Sequence, residues 1–267
     1  AVLCHGPCEL WARAAPAACT AVGLPAPAPF AYRRHGIVWR DPPHPFAQQR
    51  LPSSDDTAQF RSPAAGALHA LVAEHVVRGR VIFPGAGYLE LARAAARSVF
   101  STFGTALRGV FFLQPLAVEV AGLHVECAVA DGRFEVRSRV GGDDASGIGD
   151  AELHCSGAFA PDGVWHRVEH ASLRGRGCAR AADVGALYDG YAAVGLEYGP
   201  SYRTLEQAWG RGGGGGGSAT ARLRVRSTQQ GTQVHPADLD DAQCISALLG
   251  PGGGREEGEA RLPFAVD

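Results

Sequence analysis

The stretch HVVRGRVIFPGAGYLELARAAARSV, residues 75–99, decides the fold. Its second half places Tyr88, Leu89, Leu91, Ala92, Ala95, Ala96 and Val99 at helical spacing, one broad apolar face that predicts a buried helix behind the Gly-Ala-Gly step. Its first half is short and punctuated by Gly79, Pro84 and Gly85, residue types that dominate turns for steric reasons. Downstream the period changes. Four runs, LRGVFFLQPLAVEV (107–120), GLHVECAVA (122–130), GRFEVRSRV (132–140) and AELHCSGAF (151–159), have strand character and are separated by Gly and Asp turn signals. One helix followed by an antiparallel sheet is the expected unit.

A second cycle follows a polar, Gly-rich connection at 166–182. The segment DVGALYDGYAAVGLEYGPSYRTLEQAW (183–209) reads as helix and loop, and SATARLRVRS (218–227) as a strand. HPADLDDAQCISALLG (235–250) reads as a helix starting behind a proline, and EARLPFAVD (259–267) as a further strand. Two tandem α+β units are therefore expected, over 44–165 and 183–267. Residues 1–43, with PAPAPF at 25–30, read as a linker because proline removes backbone donors. The six glycines at 212–217 predict a mobile surface loop, since glycine loses the most backbone entropy on ordering. No GK[ST] follows them, so a phosphate-cradling loop is not supported.

Composition narrows the class. Of 267 residues, 46% are hydrophobic and 19% charged, which suits a folded domain and not a disordered one. A net charge of -2 argues against electrostatic capture of nucleic acid. No apolar run reaches the roughly 20 residues of a membrane span, and no signal segment opens the chain, so a cytoplasmic protein is expected. Lys, Asn and Met are absent, every fixed cation is Arg, and the missing initiator Met suggests a piece of a longer polypeptide. Seven Cys without a C-x-x-C pair suggest reduced thiols, with neither a zinc knuckle nor a disulfide framework.

The spacing His75-x-x-x-Gly79-x-x-x-x-Pro84, continued by GAGYLELA, resembles the HxxxGxxxxP signature of dehydratase domains in polyketide and animal-type fatty acid synthases. Three more segments fit that family in order. His44-Pro45-Phe46 is similar to its opening HPLLG strand, Leu196-Glu197-Tyr198-Gly199-Pro200 to its GYGP motif, and His235-Pro236-Ala237-Asp238-Leu239-Asp240 to the HPxxLD that carries a catalytic Asp. Upstream, LPAPAPFAYRRHGIVW (24–39) is similar to the linker that leaves an acyltransferase domain. The resemblance implies a double hotdog, each half an antiparallel sheet wrapped around a central helix, in agreement with the two-cycle reading. RLPFAVD (261–267) is similar to an internal strand of the second hotdog, so that unit is expected to be incomplete, with an exposed sheet edge.

The implied activity is removal of water from a 3-hydroxyacyl thioester on acyl carrier protein, giving the 2,3-enoyl thioester. His75 would be the base, Asp240 the acid, and the Gly85 amide at a helix start the donor to the thioester carbonyl. Asp240 suits that role only if burial keeps it protonated, and Asp238 and Asp241 are rivals. Tyr198 would bond Asp240 or the substrate hydroxyl, or simply pack. Gly79, Pro84, Gly199 and Pro200 are supporting or plain turn residues. The family places Gln or His four residues after the catalytic Asp, whereas Gln243 follows Asp240 by three and position 244 is Cys, which weakens a support role for Gln243. Read without the motif, His75 is a hydrogen-bonded core residue and Asp240 a helix-start carboxylate. No metal and no directly bound cofactor is required; the substrate rides on the carrier's phosphopantetheine arm. The implied partners are the carrier, an acyltransferase upstream, a ketoreductase downstream and a second copy in a homodimer. The alternatives are an inactive or repurposed double hotdog that binds, shapes or cyclises the chain, and a structural interaction module.

Overall fold

The computed structural model describes residues 44–52, 57–100, 106–141, 151–161, 169, 180–211, 218–249 and 265–266. The 1–43 segment, most of the 166–182 connection and the six-glycine run lie outside the described residues. In chain order the elements are β1 (Gln49–Leu51), β2 (Thr57–Pro63), α1 (Ala67–Val72), β3 (His75–Val77), β4 (Arg80–Val81), α2 (Gly85–Val99), β5 (Ala106–Phe112), β6 (Leu123–Ala130), β7 (Arg133–Val140) and β8 (Glu152–Ala160). They continue with β9 (Arg180–Ala182), α3 (Val184–Ala193), β10 (Leu196–Tyr198), β11 (Leu205–Arg211), β12 (Ser218–Leu223), α4 (Pro236–Cys244), a 3-10 turn (Ile245–Leu249) and β13 (Ala265–Val266).

Helix α2 forms where the apolar spacing predicts it. Tyr88, Leu89, Leu91, Ala92, Ala95 and Ala96 are buried, and Val99 packs at the margin of the same core. They face the inward side chains of an antiparallel seven-stranded sheet ordered β1-β2-β6-β7-β8-β5-β13. In β7, Phe134, Val136 and Ser138 are buried while Glu135, Arg137 and Arg139 are not, the period-2 pattern of a half-buried strand. Each fully buried Leu or Phe here contributes roughly 1.5–3 kcal/mol through removal of apolar surface from water.

The second half holds β12-β11-β9, an antiparallel sheet of three strands, with α3 and α4 packed through Tyr188, Tyr191, Tyr198, Tyr202, Leu205 and Ala237. Two expectations need correction. Residues 183–209 are not helix and loop throughout, because they also supply β10 and β11. A register shift between Leu205 and Gln207 breaks the alternation that would have revealed β11. The C-terminal strand, read as internal to the second unit, is hydrogen-bonded to β5 of the large sheet, with Ala265 opposite Phe111 and Val266 opposite Val110.

A third sheet, β10-β3-β4, stitches the halves together. Tyr198 sits directly opposite His75, and Glu197 opposite Val76. The β3–β4 hairpin turns on Arg78 and Gly79, with φ of 51° and 74°, and a two-residue loop with both φ positive is the turn whose twist matches its strands. Gly79 therefore has a backbone role. So does Gly199: its N–H donates to Glu74 O at 3.0 Å, and a Cβ there would stand 2.7 Å from the Glu74 side chain.

Candidate active site

His75 is the first residue of β3, and its ring is held at Nδ1 and flanked by two tyrosines. Nδ1 is 2.7 Å from the carbonyl of Ile82, and a carbonyl can only accept, so Nδ1 carries the proton. In the neutral imidazole this leaves a lone pair on Nε2. The ring packs between Tyr198 and Tyr202, with centroids 5.5 and 5.4 Å away. Nε2 faces Oδ2 of Asp240 at 3.8 Å. That is too long for a hydrogen bond. Among the described residues Oδ2 has no hydrogen-bond partner, and His75 and Asp240 are only 4% and 8% exposed.

The local sequence explains why Asp240, and not its neighbours, faces that gap. Helix α4 starts with His235 as N-cap, its Nδ1 accepting from Ala237 N at 3.2 Å, and Pro236 fills the first helical position, where no donor is needed. Asp238, one turn in, pairs with Arg226 at 2.6 Å, and Arg226 also donates to Ser201 O. Asp241 is turned the other way: its Oδ2 accepts from Thr204 N at 2.5 Å, Thr204 Oγ1 at 2.6 Å and Tyr188 Oη at 2.9 Å. Asp238 and Asp241 thus have structural partners. Asp240 is the carboxylate of the three that faces His75. Burial raises its pKa, an effect that the nearby His75 and Tyr198 only partly offset. The shift favours the carboxylic acid over the carboxylate.

Helix α2 anchors the acid-bearing segment as well as the core. Glu90, buried on an otherwise apolar face, accepts from the amides of Gln233 and Val234 and from His44 Nε2 at 3.2 Å. Arg93 and Arg97 both donate to Gln233 Oε1. At the start of the same helix Pro84 is the N-cap and its carbonyl takes Gly87 N at 2.9 Å, so the amide of Gly85 precedes the intrahelical ladder.

Two family descriptions match the chain: "Polyketide synthase dehydratase domain" over residues 44–139 and "Polyketide synthase dehydratase N-terminal domain" over residues 167–267. The chain belongs to the polyketide synthase dehydratase family. Among its relatives, the polyketide synthase ThaG of Burkholderia thailandensis is 30% identical over 249 residues, 78% of this chain and 4% of that synthase. The spectinabilin polyketide synthase system protein NorA' of Streptomyces orinoci is 33% identical over 209 residues, covering 72% and 5%. The chain thus spans a small fraction of the curated relatives it matches. The dehydratase domain from the CurF module of curacin polyketide synthase has the same fold, with a TM-score of 0.70, 24% identity and coverage of 84% of this chain and 82% of that one. The double hotdog expected from the sequence is the fold observed.

Of the residues singled out in the sequence, this dehydratase domain brings His75, Tyr198 and Asp240 together. Pro84 and Gly85 stand at the α2 start, Gly79 and Gly199 shape the β3 and β10 ends, and Pro200 is exposed, its carbonyl bonded by Arg224. Gln243 makes no side-chain hydrogen bond to Asp240. The position one turn on is Cys244, whose Sγ lies 3.3 Å from Tyr198 Oη. Sequence reasoning missed Tyr202, whose hydroxyl donates to Leu71 O while its ring supports His75, and it missed Glu90. The tyrosine-rich LEYGPSY and a lone carboxylate on an apolar helix were the available signals. Among the described residues no helix is long and apolar enough to cross a membrane.

The His235 cap gives this site a pH dependence. Burial, then the charge of Arg226, lowers the imidazole pKa to about 4. Below pH 6.5 the unfolded chain takes up a proton that the folded cap refuses, so this contribution is lost as pH falls from 6.5 toward 4, by about 2–3 kcal/mol. Asp240 and Asp241, with raised pKa values, act in the opposite sense. The comparison is therefore with His235→Asn, a cap that does not titrate. Denaturant unfolding should show wild type losing ground to the variant between pH 6.5 and 4.5; parallel curves would refute the neutral cap.

Proposed function

We propose that the domain eliminates water from a 3-hydroxyacyl thioester presented on the phosphopantetheine arm of an acyl carrier protein. The observation that carries this reading is the gap of 3.8 Å between Nε2 of His75 and Oδ2 of Asp240, two buried groups contributed by different halves of the chain. Nε2 takes the proton on C2, and the protonated carboxyl of Asp240 gives its proton to the C3 hydroxyl, which leaves as water. Enolate character develops on the thioester oxygen, and the Gly85 amide at the positive end of α2 is the donor suited to it. The two buried tyrosines beside His75 keep the imidazole oriented and bulk water away from the acid.

No metal enters this scheme, because His75 and Asp240 exchange protons only. An acidic carrier would meet Arg side chains, which pair with carboxylates and phosphates in bidentate fashion. Neighbouring synthase domains, acyltransferase before and ketoreductase after, and a homodimer complete the proposed setting in the cytoplasm. The test is to mix the domain with a 3-hydroxyacyl pantetheine thioester and follow the enoyl absorbance. A sustained rise is expected. A folded protein that produces no enoyl thioester, either from pantetheine or from carrier-bound substrate, would overturn the assignment.

A further inference from the structure

We infer that Cys244 is a covalent capture site, its thiol adding to C3 of a 2,3-unsaturated acyl thioester in the dehydratase gap and holding the chain as a thioether. The inference rests on the function proposed above. Cys244 lies one helical turn beyond Asp240, and side chains four apart share a helix face. Its Sγ is 3.3 Å from Tyr198 Oη, and Tyr198 is the strand partner of His75. Its own carbonyl is fixed by Tyr191 Oη at 2.8 Å. Tyr198 thus meets both the thiol and the imidazole, and the imidazole faces Asp240, whose buried Oδ2 has no hydrogen-bond partner among the described residues, an independent sign of a reactant.

The chemistry closes without another reagent. Elimination leaves the C2 proton on His75 and leaves Asp240 as a carboxylate, its proton having departed with the water. A thiol addition starts from those two protonation states, which the resting domain reaches on binding an enoyl thioester by passing the Asp240 proton to Nε2 of His75, 3.8 Å away. Asp240 takes the proton of the Cys244 thiol, the Sγ–C3 bond forms as the C2=C3 π pair moves to C2, and His75 returns its proton to C2. The thioester stays intact, and nothing is oxidised or reduced. Burial, with Asp240 adding to it, pushes the Cys244 thiol up to about 12. Unaided, it stays protonated at neutral pH, so capture depends on the neighbouring carboxylate. Cys127 and Cys155 are buried among the first unit's core residues.

The experiment incubates the domain with a short 2-enoyl pantetheine thioester, followed by intact mass and peptide mapping, while the same sample is assayed for interconversion of enoyl and 3-hydroxyacyl thioesters. The expected result is a mass gain equal to the whole enoyl pantetheine, mapped to Cys244, in a fraction of chains that grows with the enoyl concentration. It should be absent in Cys244→Ser and form at least about tenfold more slowly in Asp240→Asn. Interconversion without an adduct on Cys244 overturns capture and leaves the dehydratase reading standing. An adduct without interconversion sustains capture and removes that reading. A gain of the acyl group alone, or labelling of another cysteine, overturns capture because the map in the unaltered protein locates the bond directly.

Discussion

Changing Asp240 to Asn is expected to slow dehydration by about 10²–10⁴-fold, the usual effect of removing a positioned general acid, while raising the Tm. The two effects share a cause. The folded protein holds this carboxyl in a buried position with an unpartnered oxygen, and its pKa is raised above the unfolded value. Above the unfolded carboxylate range the unfolded chain gains by ionising while the buried acid resists it, so this group weakens the fold as pH rises. Asn ionises in neither state and nearly keeps the shape. The stability gain should be present at neutral pH and vanish as pH falls below the unfolded carboxylate range, where both states are protonated. Adding His75→Ala to Asp240→Asn should cost little further activity, because the base and acid act on one substrate as a unit. An Asn variant that dehydrates at the wild-type rate would show that the acid lies elsewhere.

The adjacent carboxylate has the opposite sign. Asp241→Ala should destabilise the domain by about 3–5 kcal/mol, since it strands buried donors at unmet desolvation cost. Three of them converge on Oδ2: the amide and hydroxyl of Thr204 and the hydroxyl of Tyr188. The Tyr188 hydroxyl in turn accepts from Leu205 N at 3.0 Å, so the loss spreads to the start of β11. Asp241→Asn, which keeps an acceptor oxygen, should cost less than half as much. Urea unfolding of the three proteins provides the comparison. A loss below about 1 kcal/mol for the Ala variant would mean that α4 is held in place by something other than this carboxylate.

These contrasting neighbours show where sequence alone was sufficient. The helix at Gly85–Val99 and the strands β5–β8 were legible because core-facing positions impose a period, and the apolar residues obey it. His75 was legible from its spacing to Gly79 and Pro84. The choice of Asp240 over Asp238 and Asp241 rests only on its place after His235-Pro236, since three carboxylates within four residues carry the same chemistry. Only their partners separate them: Arg226 for the first, Thr204 and Tyr188 for the third. Strand β11 stayed hidden because Leu205 and Trp209 stand four apart, a spacing that imitates a helix face. Glu90 looked anomalous because the amides it satisfies, at Gln233 and Val234, arrive from a distant part of the chain.

The pairing of β3 with β10 also bears on how the chain reaches its native state. Ser201 N reaches Glu74 Oε2 across 127 residues of sequence, and the strand contacts beside it are equally remote. Contacts of such separation carry a heavy loop-closure entropy and slow the search for them. During synthesis the imidazole emerges long before its counterpart on α4 exists, so the chemistry proposed for the pair waits on that closure.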